Sequence, residues 1–105
     1  MLKINMEFRK GILFVRLKGV LTRYTYRSLE AYLIPIVNNY GIRYLVYNLE
    51  AVSLIDDYGK ASLKKGVAAA RSNLGEGGLC HADANFREEF NLFENELVAL
   101  RKLQF

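Results

Sequence analysis

Residues 44–66 read YLVYNLEAVSLIDDYGKASLKKG. An almost continuous apolar run, Tyr44, Leu45, Val46, Tyr47 and Leu49, leads to two adjacent acids, Asp56 and Asp57, then to Tyr58, Gly59 and a segment with helical spacing. A strand that is apolar on both edges of its pleat is one covered on both faces, as in a parallel sheet. The strand is expected over Arg43–Leu49, and the segment after Gly59 is a helix whose inner stripe would be Leu63, Gly66, Val67, Ala70 and Leu74. Most of those residues are small, so this helix should approach the sheet closely.

Working outward, Lys3–Phe8 and Ile12–Lys18 flank Arg9-Lys10-Gly11. In the second run Leu13, Val15 and Leu17 alternate with Phe14, Arg16 and Lys18, which predicts an antiparallel hairpin with Phe14, Arg16 and Lys18 on the wet face. Between hairpin and central strand, Leu29, Tyr32, Leu33, Ile36, Val37 and Tyr40 recur at helical spacing, with Thr22–Thr25 as a cap region and Gly41 as a stop. Pro35 deletes one helical hydrogen bond and predicts a kink or a restart. On the C-terminal side, Gly75–Gly78 reads as a turn and Leu79–Ala82 as a strand. Asn85–Phe93 reads as a short helix capped by Asp83, and Glu96–Leu103 as an edge strand with a helix as its competitor. The order ββαβαβαβ defines an α/β layer sandwich, a mostly parallel sheet with an antiparallel N-terminal strand, spanning residues 1–105 as a single domain.

Composition narrows the function classes. The chain has 105 residues, a formal net charge of +4 and one cysteine, Cys80, which excludes an internal disulfide and fits a reducing compartment. Its basic residues are dispersed at strand and helix spacing rather than gathered into an arm, so no nucleic-acid partner is expected. No signal-like apolar core follows Met1, and no apolar run approaches the ~20 residues of a membrane span. A cytoplasmic protein that does not span a membrane is the expectation.

The chemistry-bearing residues carry little catalytic signal. Asp56 and Asp57 are neighbours after a strand and point in different directions, and no His or further acid lies nearby in sequence. Capping of the following helix is the better reading, so no metal and no cofactor is expected. Cys80 and His81 face opposite sides of a strand and cannot form a nucleophile–base pair. Gly75-Glu76-Gly77-Gly78 ends a helix rather than opening one and lacks the Gly-Lys-Ser/Thr signature of a phosphate loop. Of seven tyrosines, Tyr44, Tyr47, Tyr32 and Tyr40 are assigned to the core. Tyr24, Tyr26 and Tyr58 gather at the end of the sheet beside Asp56, with Arg23 and Lys60, the composition of a protein-docking patch.

Three stretches in order resemble one family. They are LFVRLKGVL (Leu13–Leu21), RYLVYNLEAVSLIDDYG (Arg43–Gly59) and LCHADANFREEFNL (Leu79–Leu92). Together they resemble the STAS domain and, within it, the bacterial anti-sigma factor antagonists. The resemblance implies a non-enzymatic regulator of transcription that binds an anti-sigma factor with serine-kinase activity, and a switch in which that kinase phosphorylates the serine after the motif aspartate. Asp56 matches that aspartate and Gly59 the motif glycine. Asp57 stands at the phosphoacceptor position, Tyr58 replaces a small residue, and Thr22 stands where the family often has an acid.

A carboxylate carries one fixed charge, about half that of a phosphoserine. Three implications stay open: a constitutive form, a switch elsewhere on the chain (Ser53, Ser62, Thr22 and Thr25 are unranked acceptors), or a protein outside sigma-factor control. The expected partner surface comprises Thr22, Arg23, Tyr24, Asp56, Asp57, Tyr58, Gly59, Lys60 and Lys64, with Arg71 farther along the helix. The alternative is a STAS-type structural or adaptor subunit of a stress-signalling or membrane-transport complex; an enzyme or nucleotide binder ranks last. Homo-oligomerisation is left open.

Overall fold

The structure is a computed structural model and describes residues 1–103. Five strands form one sheet in the order β1-β2-β3-β4-β5: β1 (Leu2–Arg9), β2 (Ile12–Leu21), β3 (Tyr44–Ile55), β4 (Glu76–Cys80) and β5 (Asn91–Phe93). β1 runs antiparallel to β2 across the Lys10-Gly11 turn, and the remaining pairs are parallel. Helices α1 (Tyr26–Asn39) and α2 (Asp57–Ser72) make the β2–β3 and β3–β4 crossovers, and a 3₁₀ turn over Ala84–Glu88 precedes β5. This is the α/β layer sandwich with an antiparallel entry strand read from the sequence.

Two apolar clusters lie on opposite faces of the sheet. The larger joins Leu13, Val15, Leu45 and Tyr47 to Leu29, Leu33 and Val37 of α1 and to Leu63, Val67 and Ala70 of α2. The alternate residues Ile12, Phe14 and Val46, with Cys80, are covered by Ala99 and Leu100. Those last two belong to α3 (Glu96–Leu103), which is a helix and not the expected edge strand. Asn95 explains the difference: its side chain accepts from the Val98 N–H at 2.9 Å and its carbonyl from the Ala99 N–H at 3.1 Å, starting a helix in a segment of good helix formers. The sheet face that looked wet is therefore dry at Phe14, which is fully buried. Arg16 is held there by Glu96, with Nε and Nη2 donating at 2.8 and 2.7 Å, while Asn48 donates to the same carboxylate at 2.8 Å.

Other boundaries moved for local reasons. β4 begins at Glu76, because Gly77 and Gly78 are strand residues rather than a turn. A Cβ on Gly78 would lie 2.6 Å from the Asn91 carbonyl oxygen, so the strand needs glycine to accept β5. β4 ends at Cys80 and not Ala82, since His81 adopts a left-handed φ of 56°. The expected helix over Asn85–Phe93 is only the 3₁₀ turn, and Asn91–Phe93 is the last strand. α1 runs unbroken through Pro35. Pro35 and Ala31, whose carbonyl loses its helical donor, are both exposed, so water can take the orphaned acceptor. Tyr32 and Tyr40, expected in the core, are both exposed. Leu74 leaves the inner stripe of α2: it is 83% exposed and closes the helix at φ 66°.

Candidate functional site

β2 and β3 end together at the top of the sheet, and β3 is built to reach that end. It pairs with β2 all the way to Leu21↔Ile55, whereas β4 accompanies it only to Asn48. Two register shifts, between Arg16/Lys18 and Gly19/Val20, each leave an extra residue on β3. Bulges of this kind bend a strand and re-aim its exit. The residue at that exit is Asp56, the N-cap of α2.

Asp56 ties two loops together. Its Oδ1 accepts from Gly59 N–H at 2.9 Å, capping α2, and its Oδ2 accepts from Arg23 N–H at 2.8 Å. Its own N–H donates to the Leu21 carbonyl at 3.2 Å. Burial pushes the carboxyl up, but the backbone donors Gly59, Arg23 and Tyr58 together outweigh it and hold the group below its ordinary range. Gly59 is buried against β2, and a Cβ there would overlap the Leu21 carbonyl, so the close approach of α2 requires glycine. Asp57 is the first residue of α2, exposed, in the position where the helix N-terminus favours negative charge.

The facing loop is folded on Thr22, which is buried at 7% exposure. Its N–H donates to Thr25 Oγ1 at 2.9 Å, and its carbonyl accepts from the Thr25 and Tyr26 N–H groups. Thr22 therefore shapes the loop rather than offering a side chain to solvent. Beyond it the Arg23 guanidinium lies 4.8 Å from the Tyr24 ring centre, and the Tyr26 and Tyr58 rings meet at a 36° tilt with their centres 5.6 Å apart. Tyr24 is 78% and Tyr58 53% exposed. The structure thus brings Arg23, Tyr24, Asp56, Asp57, Tyr58 and Gly59 together on one surface, with Arg23, Tyr24, Asp57 and Tyr58 reaching solvent.

The basic residues of α2 are less available. Lys60 and Lys64 both ion-pair with Glu89, and Lys60 also lies 5.6 Å from the Phe86 ring centre. Arg71 donates to Glu76 at 2.7 Å. Lys60 and Lys64 border the surface as half of a salt-bridge network that fastens α2 to the segment after β4. Glu89 and Phe86, which set this, carry no local sequence signal, because their partners lie more than twenty residues away in the chain.

Among the described residues no group of three or more His, Cys, Asp and Glu side chains could hold a metal ion. Cys80 is fully buried beneath α3, and that burial pushes its thiol up to about 12. His81 sits on the exposed turn after it.

The STAS domain model matches residues 3–98. The chain belongs to the STAS domain family. Solved structures agree at the level of fold. An anti-sigma factor antagonist from Mycobacterium paratuberculosis superposes with a TM-score of 0.82 at 20% identity, covering 98% of this chain and 94% of that one. The anti-sigma factor antagonist SpoIIAA in its unphosphorylated form gives 0.79 at 15% identity over 95% and 96% of the two chains. The Bacillus cell fate determinant SpoIIAA in its phosphorylated form gives 0.75 at 17% identity over 97% and 100%. Among the described residues of this STAS domain no helix is long and apolar enough to cross a membrane.

Proposed function

We propose that this STAS domain is a non-enzymatic, protein-binding regulator of the anti-sigma factor antagonist kind, acting in the cytoplasm on transcription, with its contact charge fixed by Asp57. The partner is an anti-sigma factor or a related serine-kinase-like protein. The contact surface is Arg23, Tyr24, Asp57 and Tyr58, held in register by Asp56 and Gly59 and bordered by Lys60 and Lys64.

The observation that carries the reading is the placement of Asp57. It comes directly after the Asp56 cap and opens α2 with its carboxylate exposed beside two accessible tyrosines. Solvent-exposed aromatic rings beside an arginine are the groups that anchor protein interfaces. A phosphoserine at a helix N-terminus would bring ~1.5 to 2 negative charges and could be removed, whereas an aspartate brings one that stays. The domain therefore holds one binding state instead of alternating between two.

The test is a phosphotransfer assay in lysate of the source cell with γ-labelled ATP. Asp57→Ser should become labelled at residue 57 while the wild-type chain stays unlabelled. Absence of label in both chains, or equal label elsewhere in both, would remove the case for a kinase-type partner.

A further inference from the structure

A cavity lies at the opposite end of the sheet from Asp56, where the parallel strands begin. It has a volume of about 520 Å³, and its walls include Phe8, Lys10, Tyr40, Ile42, Arg43 and Leu103. Three features describe it. The first is aromatic: Phe8 and Tyr40 are large rings left 60% and 79% exposed, and both line it. Exposed aromatic surface concentrated at one concavity is unusual for a surface with no ligand.

The second is charge. Lys10 and Arg43 both line the cavity, and neither has a carboxylate within ion-pair distance among the described residues. Among the described residues the Arg43 guanidinium donates to the Leu74 carbonyl at 3.2 Å and lies 5.8 Å from the Tyr44 ring centre. Third, Lys10 occupies the left-handed region at φ 50°, in a turn position that glycine or asparagine would fill without strain. The two-residue turn itself calls for that conformation, so glycine at position 10 would remove the lysine without disturbing the hairpin.

We infer that this cavity is a binding site for a small aromatic anion, its carboxylate or phosphate taken by Lys10 and Arg43 and its ring packed against Phe8, Tyr40 and a floor of Ile42 and Leu103. The volume is that of a drug-sized ligand pocket. A guanidinium offers a planar fork to a carboxylate or a phosphate, and a lysine adds a point charge. The rings supply apolar area that an inorganic ion cannot use, so the body of the ligand has to be aromatic or similarly flat. The site shares no residue with the Asp57 surface, and its fate is independent of that reading.

Phenyl phosphate, benzoate, inorganic phosphate and phenethylamine serve as probes, with backbone amide shifts of the full chain as the readout. Phenyl phosphate or benzoate should saturate, with shifts confined to the Lys10–Gly11 turn and to residues 40–44. Inorganic phosphate and phenethylamine should bind at least tenfold more weakly. Saturation by both aromatic anions identifies the shared anion-and-ring chemistry, and by only one, the headgroup that is preferred.

Arg43→Gln should lower affinity about tenfold without moving the thermal midpoint. Lys10→Gly is the decisive variant: it relieves the turn, so the midpoint should hold or rise, while affinity falls. Equal binding of phenethylamine, shifts spread to Asp56–Lys60, failure to saturate, or Lys10→Gly binding as tightly as wild type would each overturn the assignment.

Discussion

Tyr47 shows how a single side chain sets the terms for a helix. Its ring is fully buried beneath α2, and a Cβ on Gly66 would overlap its hydroxyl. That hydroxyl has no hydrogen-bond partner among the described residues, and burial pushes it well above the ordinary phenol range. A buried donor without a partner costs about 1–3 kcal/mol, so Tyr47→Phe should leave stability unchanged or raise it by about 1 kcal/mol, read as the urea midpoint. A loss of more than about 1 kcal/mol would show that the hydroxyl is satisfied in solution. Asp56 makes the opposite case. Its carboxyl is held low in the folded state, so its charge contributes stability that is complete above the unfolded pKa of about 3.9 and is lost as pH falls through the lower folded value. Asp56→Asn should therefore unfold earlier than wild type at neutral pH, and the gap should close in acid. Thermal midpoints between pH 2 and 7 measure this. Asp56 could be picked out in the sequence because a helix cap obeys a local rule, and Gly59 because it matches the motif glycine. The burial of Thr22 could not, since it depends on a loop folding back on itself.

At the scale of elements, helix ends and helix docking decide what moved. α2 ends in a Schellman arrangement: Gly75 N–H donates to the Ala70 carbonyl at 3.0 Å and Leu74 N–H to the Arg71 carbonyl at 2.9 Å. Leu74 holds the left-handed position that glycine normally takes, and at 83% exposure it buries almost nothing in return. Leu74→Gly should stabilise by about 0.5–1 kcal/mol, measured by thermal or urea unfolding. The second element to test is α3. Glu96 is held below its ordinary range chiefly by Arg16, with Asn48 adding to the effect against the opposing push of burial. Its charge favours docking at neutral pH, and that help is lost as pH falls through its lowered value.

Glu96→Gln removes the charge and weakens the hold of α3 on Ile12, Phe14, Val46 and Cys80. Cys80 should then react with a thiol reagent several-fold faster than in the wild type, because opening α3 is what exposes it. An unchanged rate would mean that apolar contact alone holds the helix. The segment Glu96–Leu103 alternates like a strand and has the composition of a helix, so its sequence alone left both readings standing. The free face of the sheet, which needed Ala99 and Leu100 to cover Phe14, settled it. β5 was hidden for the related reason that three residues carry no period, and only the glycine corridor of β4 makes room for them.

At the scale of the whole molecule the layer order was legible early, because a doubly buried strand between two amphipathic helices has few packings open to it. The site was half legible. Arg23, Tyr24, Asp57 and Tyr58 meet at the strand ends as their positions suggested, while Lys60 and Lys64 are taken up by Glu89, a partner no local pattern announces. The two ends of the sheet carry different chemistry, an acid-headed aromatic surface at the top and a cationic aromatic cavity at the bottom. The central claim concerns the top: a protein partner reads a fixed charge at Asp57. Its most direct test is affinity capture from lysate of the source cell with wild type, Asp57→Ser and Tyr58→Ala, quantified by mass spectrometry. The account predicts recovery of a kinase-type anti-sigma factor whose yield changes at residue 57 and falls for Tyr58→Ala. Recovery of scaffold or transporter subunits in equal yield from all three chains would contradict it and leave Asp56-Asp57 as a helix cap.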